Sequence, residues 1–187
     1  MPVLLGMSYY ERNLPHWHPD RTAIFLTWRL YGSLPTAVVR SIQSENVEPG
    51  RQFTRFDRYL DHAQSGPFWL RNSVIAGLII ETLRRGHEEL HQYALQSYVV
   101  MPNHVHLLIV PHTMLSRITH GIKGVTSRDA NRMLRRTGKP FWQDESFDHW
   151  IRDAGEEQRI QSYIEQNPVA AGFVRRPEDW LWSSAHK

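Results

Sequence analysis

Two histidines one residue apart are the residues of this 187-residue chain whose types and spacing most directly suggest chemistry. His104 and His106 lie in an apolar run, Tyr98–Val110, that is typical of a β-strand. Successive side chains of a strand point to opposite faces, so both imidazoles share one face while Val105 and Leu107 occupy the other. Neutral imidazole is a common ligand of divalent metals. The spacing predicts a metal site, against the alternative of a histidine pair on a half-exposed sheet face.

Two other histidine pairs compete with this one. His16 and His18 repeat its spacing, but prolines flank them on both sides, which favours a terminal loop. His87 and His91 are four residues apart, but Gly86 is expected to end the helix before them. We therefore expect the second pair to lie in a solvent-exposed turn.

A tyrosine and an asparagine late in the chain form a second candidate group. Tyr163 and Asn167 are four residues apart, which places them on one face of a predicted helix, where a phenol and an amide could meet the same ligand. Ile160 and Ile164 share that periodicity, so the alternative is a buried stripe in which the tyrosine serves only the core.

Hydrophobic periodicity predicts the elements that position these residues, in the order strand, helix, strand, strand, helix, strand, helix. They are a strand over Thr22–Leu30, a helix over Val74–Arg85, a hairpin of Gln92–Met101 and His104–Val110, a helix from Leu115, a strand within Phe141–Trp150 and a helix from Asp153 to about Asn167. This order predicts an α+β fold in which one antiparallel sheet is covered by helices, and a ferredoxin-like or RRM-like plait is its simplest form.

The domain organisation is predicted to be simple. We expect a single domain over residues 1–187, with an N-terminal extension over 1–20. Residues 44–66 mix charged residues, glycine and proline with scattered aromatics, which predicts an inserted loop with room for one short helix and no recognisable chemistry.

Composition excludes several classes of protein. The chain has no cysteine, so a metal must bind nitrogen and oxygen ligands, and a reducing, cytoplasmic location is expected. The longest apolar run, Val74–Ile80, is far shorter than the roughly 20 residues that cross a bilayer. We therefore expect no membrane association.

The second long helix is basic, and the whole chain has a pI of about 9.4. Its basic side chains could hold the phosphates of a nucleic acid, or could simply form a solvated helix face. They are Lys123, Arg128, Arg132, Arg135 and Arg136.

Several short motifs together resemble a known family. The run from Met101 to His106 resembles the histidine-hydrophobic-histidine signature of the HUH endonucleases. The other motifs are Phe141-Trp142-Gln143, Asp148-His149-Trp150-Ile151-Arg152-Asp153, Tyr163-Ile164-Glu165-Gln166-Asn167-Pro168-Val169 and Trp180-Leu181-Trp182-Ser183-Ser184. Their order resembles the one-tyrosine transposases, and within them the REP-associated tyrosine transposases, over about Asn13 to Ala185.

The resemblance implies a plait-like fold and a specific chemistry. His104 and His106 would hold Mg²⁺ or Mn²⁺, Asn167 would complete the metal site, and Tyr163 would attack single-stranded DNA beside a hairpin. The products would be a covalent 5′-phosphotyrosine and a free 3′ hydroxyl, which allows later rejoining. Relatives act as monomers or homodimers, and both states stay open here. So do two alternatives: a non-catalytic nucleic-acid-binding module of the same fold, and a metal phosphohydrolase that is indifferent to Tyr163.

Overall fold

An antiparallel sheet of four strands forms the centre of the structure, a computed structural model that describes residues 22–44, 49–63 and 65–186. The strands are β1 (Ile24–Arg29), β2 (Tyr93–Val100), β3 (His104–Pro111) and β4 (Phe147–Trp150). Their spatial order is β2-β3-β1-β4, with every neighbouring pair antiparallel. The predicted plait is therefore confirmed. The N-terminal extension, with His16 and His18, lies outside the described residues.

Within the described residues, five helices surround the sheet. They are α1 (Thr36–Ser44), α2 (Pro49–Asp61), α3 (Ser73–Glu88), α4 (Leu115–Met133) and α5 (Ala154–Ala170). Helices α3 and α4 bury one face of the sheet with residues such as Ile79 and Ile122, whereas α2 and α5 bury the other with Phe53 and Ile160. None of the helices in the described ranges is long and apolar enough to span a membrane.

Helix α2 corrects the prediction for residues 44–66. The predicted loop with one short helix instead contains the 13-residue α2, preceded by the end of α1 at Ser44. Phe53, Asp57 and Leu60 recur at a spacing of three to four residues and are buried on one side of α2. The arginines between them obscured this periodicity in the sequence. The segment is a second covering layer over the sheet.

Two predicted helix ends are too early. Helix α3 continues through Gly86 to Glu88, and the ring of Tyr93 occupies the space beside Gly86 that a side chain would fill. Helix α5 continues through Pro168 to Ala170. A helix tolerates glycine, or proline near its end, where the surrounding packing compensates for the lost propensity.

The longer α3 also changes the setting of one histidine. His87 lies inside α3 rather than in an exposed turn, and its Nδ1 is hydrogen-bonded to the backbone oxygen of Tyr93 at 3.1 Å. His91 follows the helix with a φ of 48°, in the turn that leads to β2. These two histidines therefore serve the α3–β2 connection.

The packing at Gly86 predicts a large loss of stability for Gly86→Ala. An alanine Cβ there would lie 2.3 Å from the Tyr93 hydroxyl oxygen, which donates a hydrogen bond to the Leu83 carbonyl. We expect a loss of about 1–3 kcal/mol in the free energy of unfolding, measured by urea denaturation. Gly77→Ala in the same helix is the matched control, because nothing lies within 4 Å of its added Cβ. An unchanged free energy of unfolding in Gly86→Ala would contradict this packing.

The C-terminal segment protects the outer edge of the sheet. The Val100 amide donates to the Trp182 carbonyl at 2.8 Å, and the Ser184 amide donates to the Tyr98 carbonyl at 2.9 Å. An unpaired strand edge would expose a row of backbone donors and acceptors. The closing motif of the sequence therefore pairs with β2 and completes the fold.

Candidate active site

The two histidines converge on one point, as the strand alternation predicts. His104 and His106 are fully buried on the α2–α5 face of β3, and Val105 packs in the opposite core. The Nδ1 atoms are hydrogen-bonded to the Asn103 and Thr27 side chains, both at 2.7 Å. Because each Nδ1 has this partner, both Nε2 atoms are free to face the same point, where they lie 3.1 Å apart.

Helix α2 adds a carboxylate that the sequence analysis did not identify. The Oδ1 atom of Asp57 lies 3.2 Å from His106 Nε2 and 3.6 Å from His104 Nε2. Asp57 is buried, and its Oδ1 has no hydrogen-bond partner. A buried, unsatisfied carboxylate oxygen beside two imidazole nitrogens is typical of a cation site.

The distances between these three atoms fit a divalent metal. Neighbouring ligands in an octahedral shell with bonds near 2.1 Å lie roughly 3.0 Å apart. The three separations of 3.1, 3.2 and 3.6 Å are close to that value. Asp57, His104 and His106 can therefore occupy one face of an octahedron, which leaves the opposite face to water or substrate oxygens.

Helix α5 brings the predicted tyrosine to the same carboxylate. The Tyr163 hydroxyl donates a hydrogen bond to Asp57 Oδ2, and Asn167 Nδ2 lies 3.4 Å from that oxygen. Ile160 and Ile164 are buried, so the predicted apolar stripe also exists. One carboxylate therefore joins both halves of the site: Oδ1 faces the histidines and Oδ2 faces the tyrosine.

Asn167 lies beside the cluster on the buried side of α5. Its Oδ1 is buried without a hydrogen-bond partner, whereas its Nδ2 is directed at Asp57. An amide oxygen is a suitable ligand for hard cations. The structure thus brings together all four residues predicted for chemistry, and adds Asp57.

Burial and neighbouring charges shift the ionisation of the cluster. For Asp57, burial opposes ionisation, but the charges of His106 and His104 outweigh it and lower the pKa to about 2. Burial and the His106 charge lower the pKa of His104 to about 3. Burial and the Asp57 charge hold the pKa of Tyr163 well above its usual value. The site thus combines an ionised carboxylate with a neutral phenol.

A second carboxylate, Asp61, lies one turn further along α2. Its Oδ1 is 3.7 Å from His104 Nε2. Burial and the charge of Asp57 raise the pKa of Asp61 to about 9, so this carboxyl is protonated at neutral pH.

The predicted helix is shorter than expected: α4 ends at Met133, so Arg135 and Arg136 follow it, and the five basic residues separate into two groups. Arg128, Arg132 and Arg135 are exposed. The Lys123 ammonium instead donates to the backbone oxygens of Gln143 and Asp144, at 2.8 and 2.9 Å. The remaining member, Arg136, lies 3.9 Å above the ring centroid of Trp69. Lys123 and Arg136 therefore have structural contacts as well as charge.

The basic end of α4 lies across the sheet from the cluster but at the same end of it. Arg136 stacks on Trp69, and the next residue, Leu70, donates its amide to the Pro102 carbonyl at 3.2 Å. Pro102 belongs to the turn that leads directly into His104. A nucleic-acid strand bound at this end of α4 would therefore have to pass round the end of the sheet to reach the histidines.

The family of the chain follows from its central region. Residues 70–167, which are 98 of the 187, match the family model described as IS200-like transposase. The chain belongs to this family, which confirms the resemblance seen in the motifs. The matched region includes the histidine pair, Tyr163 and Asn167, whereas Asp57 precedes it.

A curated relative and two solved structures are similar to the chain. A protein described as a REP-associated tyrosine transposase, from Haemophilus influenzae, is 30% identical over 100 residues, which are 47% of this chain and 56% of the relative. The chain thus spans little more than half of that relative.

One of two similar solved structures supports the fold. One, a REP-associated tyrosine transposase bound to a REP hairpin, aligns with a TM-score of 0.57 at 19% identity, over 96% of this chain and 84% of the other. Another, described as a transposase from Deinococcus radiodurans, aligns with a TM-score of 0.38 at 14% identity, over 83% of this chain and 98% of the other. The first likeness shows the shared plait.

Proposed function

We propose that this chain is a metal-dependent DNA transesterase that cleaves and rejoins single-stranded DNA beside a hairpin. The observation that carries the proposal is the position of Asp57, whose two oxygens face the histidine pair and the Tyr163 hydroxyl. A nucleophile and a metal site that share one carboxylate can act on the same phosphate.

The proposed metal is Mg²⁺ or Mn²⁺. Asp57, His104 and His106 would hold it, and the unpartnered Oδ1 of Asn167 is our candidate for a fourth ligand. When bound, such a cation polarises a phosphate oxygen and makes the phosphorus easier to attack.

Tyr163 is the proposed nucleophile. The phenol gives up its proton as its oxygen forms a bond to phosphorus, while the bond between phosphorus and the 3′ oxygen breaks and the 3′ oxygen takes up a proton and leaves as a hydroxyl. The 5′ phosphate stays on the tyrosine. Attack by another 3′ hydroxyl reverses these steps and rejoins a strand, so no external energy source is needed.

Asp57 is proposed to hold the phenol in place for this attack. A carboxylate with a pKa of about 2 is a weak base, so it does not remove the phenol proton in advance. Its hydrogen bond instead fixes the direction of the Tyr163 oxygen, and accurate orientation contributes strongly to rate. Asp57 is thus a metal ligand and a positioning residue together.

The proposed substrate is a hairpin with a single-stranded flank. The similar solved structure is described as bound to a REP hairpin, and the exposed arginines on α4 and just after it supply positive charge. We propose that Arg128, Arg132 and Arg135 contact the DNA backbone. Lys123 and Arg136 would support DNA binding mainly by holding the loop before β4 and the Trp69 ring in place.

Removal of two of these charges should weaken DNA binding. We expect the double variant Arg132→Gln with Arg135→Gln to bind the hairpin more weakly. The slope of log affinity against log salt concentration should fall by the amount that one to two phosphate contacts contribute. Fluorescence anisotropy across a salt series measures both quantities. Arg176→Gln, which removes an exposed guanidinium near the C-terminus, is the control. An unchanged salt dependence in the double variant would show that these side chains do not contact the phosphates.

Cleavage of a labelled hairpin oligonucleotide tests the proposed function. The probe is a hairpin selected by the protein from a pool with randomised stems and flanks, and it is incubated with Mn²⁺ or with a chelator. We expect strand cleavage and strand exchange only with the metal. Selected hairpins that bind but are never cut would favour the non-catalytic module, and hydrolysis of a model phosphodiester by Tyr163→Phe would favour the phosphohydrolase.

A further inference from the structure

A cleft opens to solvent beside the metal cluster. It lies between α1 and α2 on one side and β1 with the start of β4 on the other. Its lining residues include Arg29, Phe53, Phe56, Asp57, Glu145 and Phe147. The lining thus includes solvent-accessible side chains as well as Asp57, a proposed metal ligand.

The position of the cleft relates it directly to the reacting phosphate. Asp57 forms part of its wall, and Arg29 is paired with His104 across the β1–β3 ladder, on the same face of the sheet. His104 and His106 themselves are fully buried. A DNA strand with a phosphate at the cluster would therefore place an adjacent nucleotide at this cleft.

The walls of the cleft are aromatic. Phe53 and Phe147 stack on each other, with ring centroids 4.1 Å apart and planes at 26°. Phe56 is only half-buried, and its ring contacts no other ring in the described part of the chain. Unpaired nucleobases stack on such rings whatever their sequence, because every base has a π-face.

The rim of the cleft is polar. Arg29 supplies hydrogen-bond donors, and the Glu145 carboxylate supplies acceptors. The Lys123 ammonium holds this rim, because it donates to the backbone of Gln143 and Asp144 and to Ser146 Oγ. A planar aromatic surface with donors and acceptors at its edge matches a nucleobase.

We propose that this cleft binds the base of a nucleotide adjacent to the cleaved phosphate, with the base stacked on Phe56. The proposal rests on the proposed function, because it places the strand by its phosphate at the cluster. It assigns a part of the substrate to residues of α2 and β1, which lie outside the region that matches the family model. Phe56 is then a substrate-binding residue, and Lys123 a positioning residue for the rim.

The experiment places a fluorescent base at each position of the flank. The protein carries Tyr163→Phe so that the strand stays intact, and 2-aminopurine replaces one base at a time in the selected hairpin, with Mg²⁺ present. Stacking quenches 2-aminopurine. Three proteins are compared: this background, the background with Phe56→Ala, and the background with Tyr59→Ala. Tyr59 is the matched control, because it lies on the same helix with 47% exposure.

We expect quenching at a position next to the cleavage site, loss of that quenching in Phe56→Ala, and no change in Tyr59→Ala. Affinity should fall about tenfold in Phe56→Ala and should fall less for an oligonucleotide that is already abasic at that position. Phe56→Trp should restore quenching, which separates stacking from a folding defect.

Two failures can be told apart. Hairpin binding without a quenched position, or quenching that survives Phe56→Ala, overturns this inference and leaves the proposed function intact. Failure of any hairpin to bind, measured by anisotropy, overturns the proposed function and this inference with it.

Discussion

Tyr163→Phe is expected to lower the rate of DNA cleavage by at least about 10³-fold while hairpin affinity stays within about twofold. The substitution removes only the hydroxyl, which is the proposed nucleophile and the donor to Asp57 Oδ2. The ring contacts with Phe25 and Phe53 are retained, so the fold should persist. Single-turnover cleavage and fluorescence anisotropy measure the two quantities separately.

Tyr59→Phe is the control for this substitution. Tyr59 is exposed on the outer face of α2, so loss of its hydroxyl should leave cleavage unchanged. If Tyr163→Phe kept more than about a tenth of the normal rate, water or another side chain would be the nucleophile, and the transesterase proposal would be wrong.

Asp57→Asn is expected to weaken binding of Mn²⁺ by at least about 100-fold, because it removes the only charged ligand of the proposed triad. Cleavage at limiting metal should fall by a similar factor. The amide has almost the same volume as the carboxylate, so packing under α2 should be preserved. Isothermal titration calorimetry with Mn²⁺ measures the affinity, and urea denaturation without metal checks the fold.

Asp61→Asn is the control for Asp57→Asn. It shows whether metal binding needs the Asp57 carboxylate itself or any carboxyl group near His104. Asp61 is adjacent to His104 but lies outside the triad. We therefore expect a much smaller effect on metal affinity. Equal losses in the two variants would show that both carboxylates ligate, and unchanged affinity in Asp57→Asn would remove Asp57 from the metal site.

Local periodicity was enough to predict much of the site. The strand alternation around His104 and His106 fixes which face each side chain occupies, and the four-residue spacing of Tyr163 and Asn167 does the same on a helix. Both patterns depend only on backbone geometry, so they hold wherever the element packs. The plait followed in the same way from the order of the elements.

Asp57 could not be found by this reasoning, because its role depends on how α2 packs over the sheet. Its contacts with His106 and Tyr163 join residues that are far apart in the sequence. A local signal did exist: Phe53, Phe56 and Leu60 share the spacing of a buried helix face, and Asp57 is the charged residue within it. A carboxylate on an apolar face indicates a partner that compensates for its burial.

Lys123 has a contact that its charge alone does not predict. It belongs to a run of basic residues, which indicated a phosphate contact, yet its ammonium donates to the loop before β4. Charge can be counted from a sequence, whereas the direction of a long flexible side chain depends on the acceptors that the fold places near it.

Mapping the protein–DNA linkage is the most direct test of the central claim. The hairpin is cleaved in the presence of Mn²⁺, the adduct is digested with trypsin and nuclease, and the modified peptide is sequenced by mass spectrometry. We predict a 5′-phosphate joined to Tyr163, in the peptide Ile160–Arg175 that tryptic cleavage after Arg159 and Arg175 releases. Cleavage without a covalent intermediate, or a linkage to any other residue, would contradict the claim.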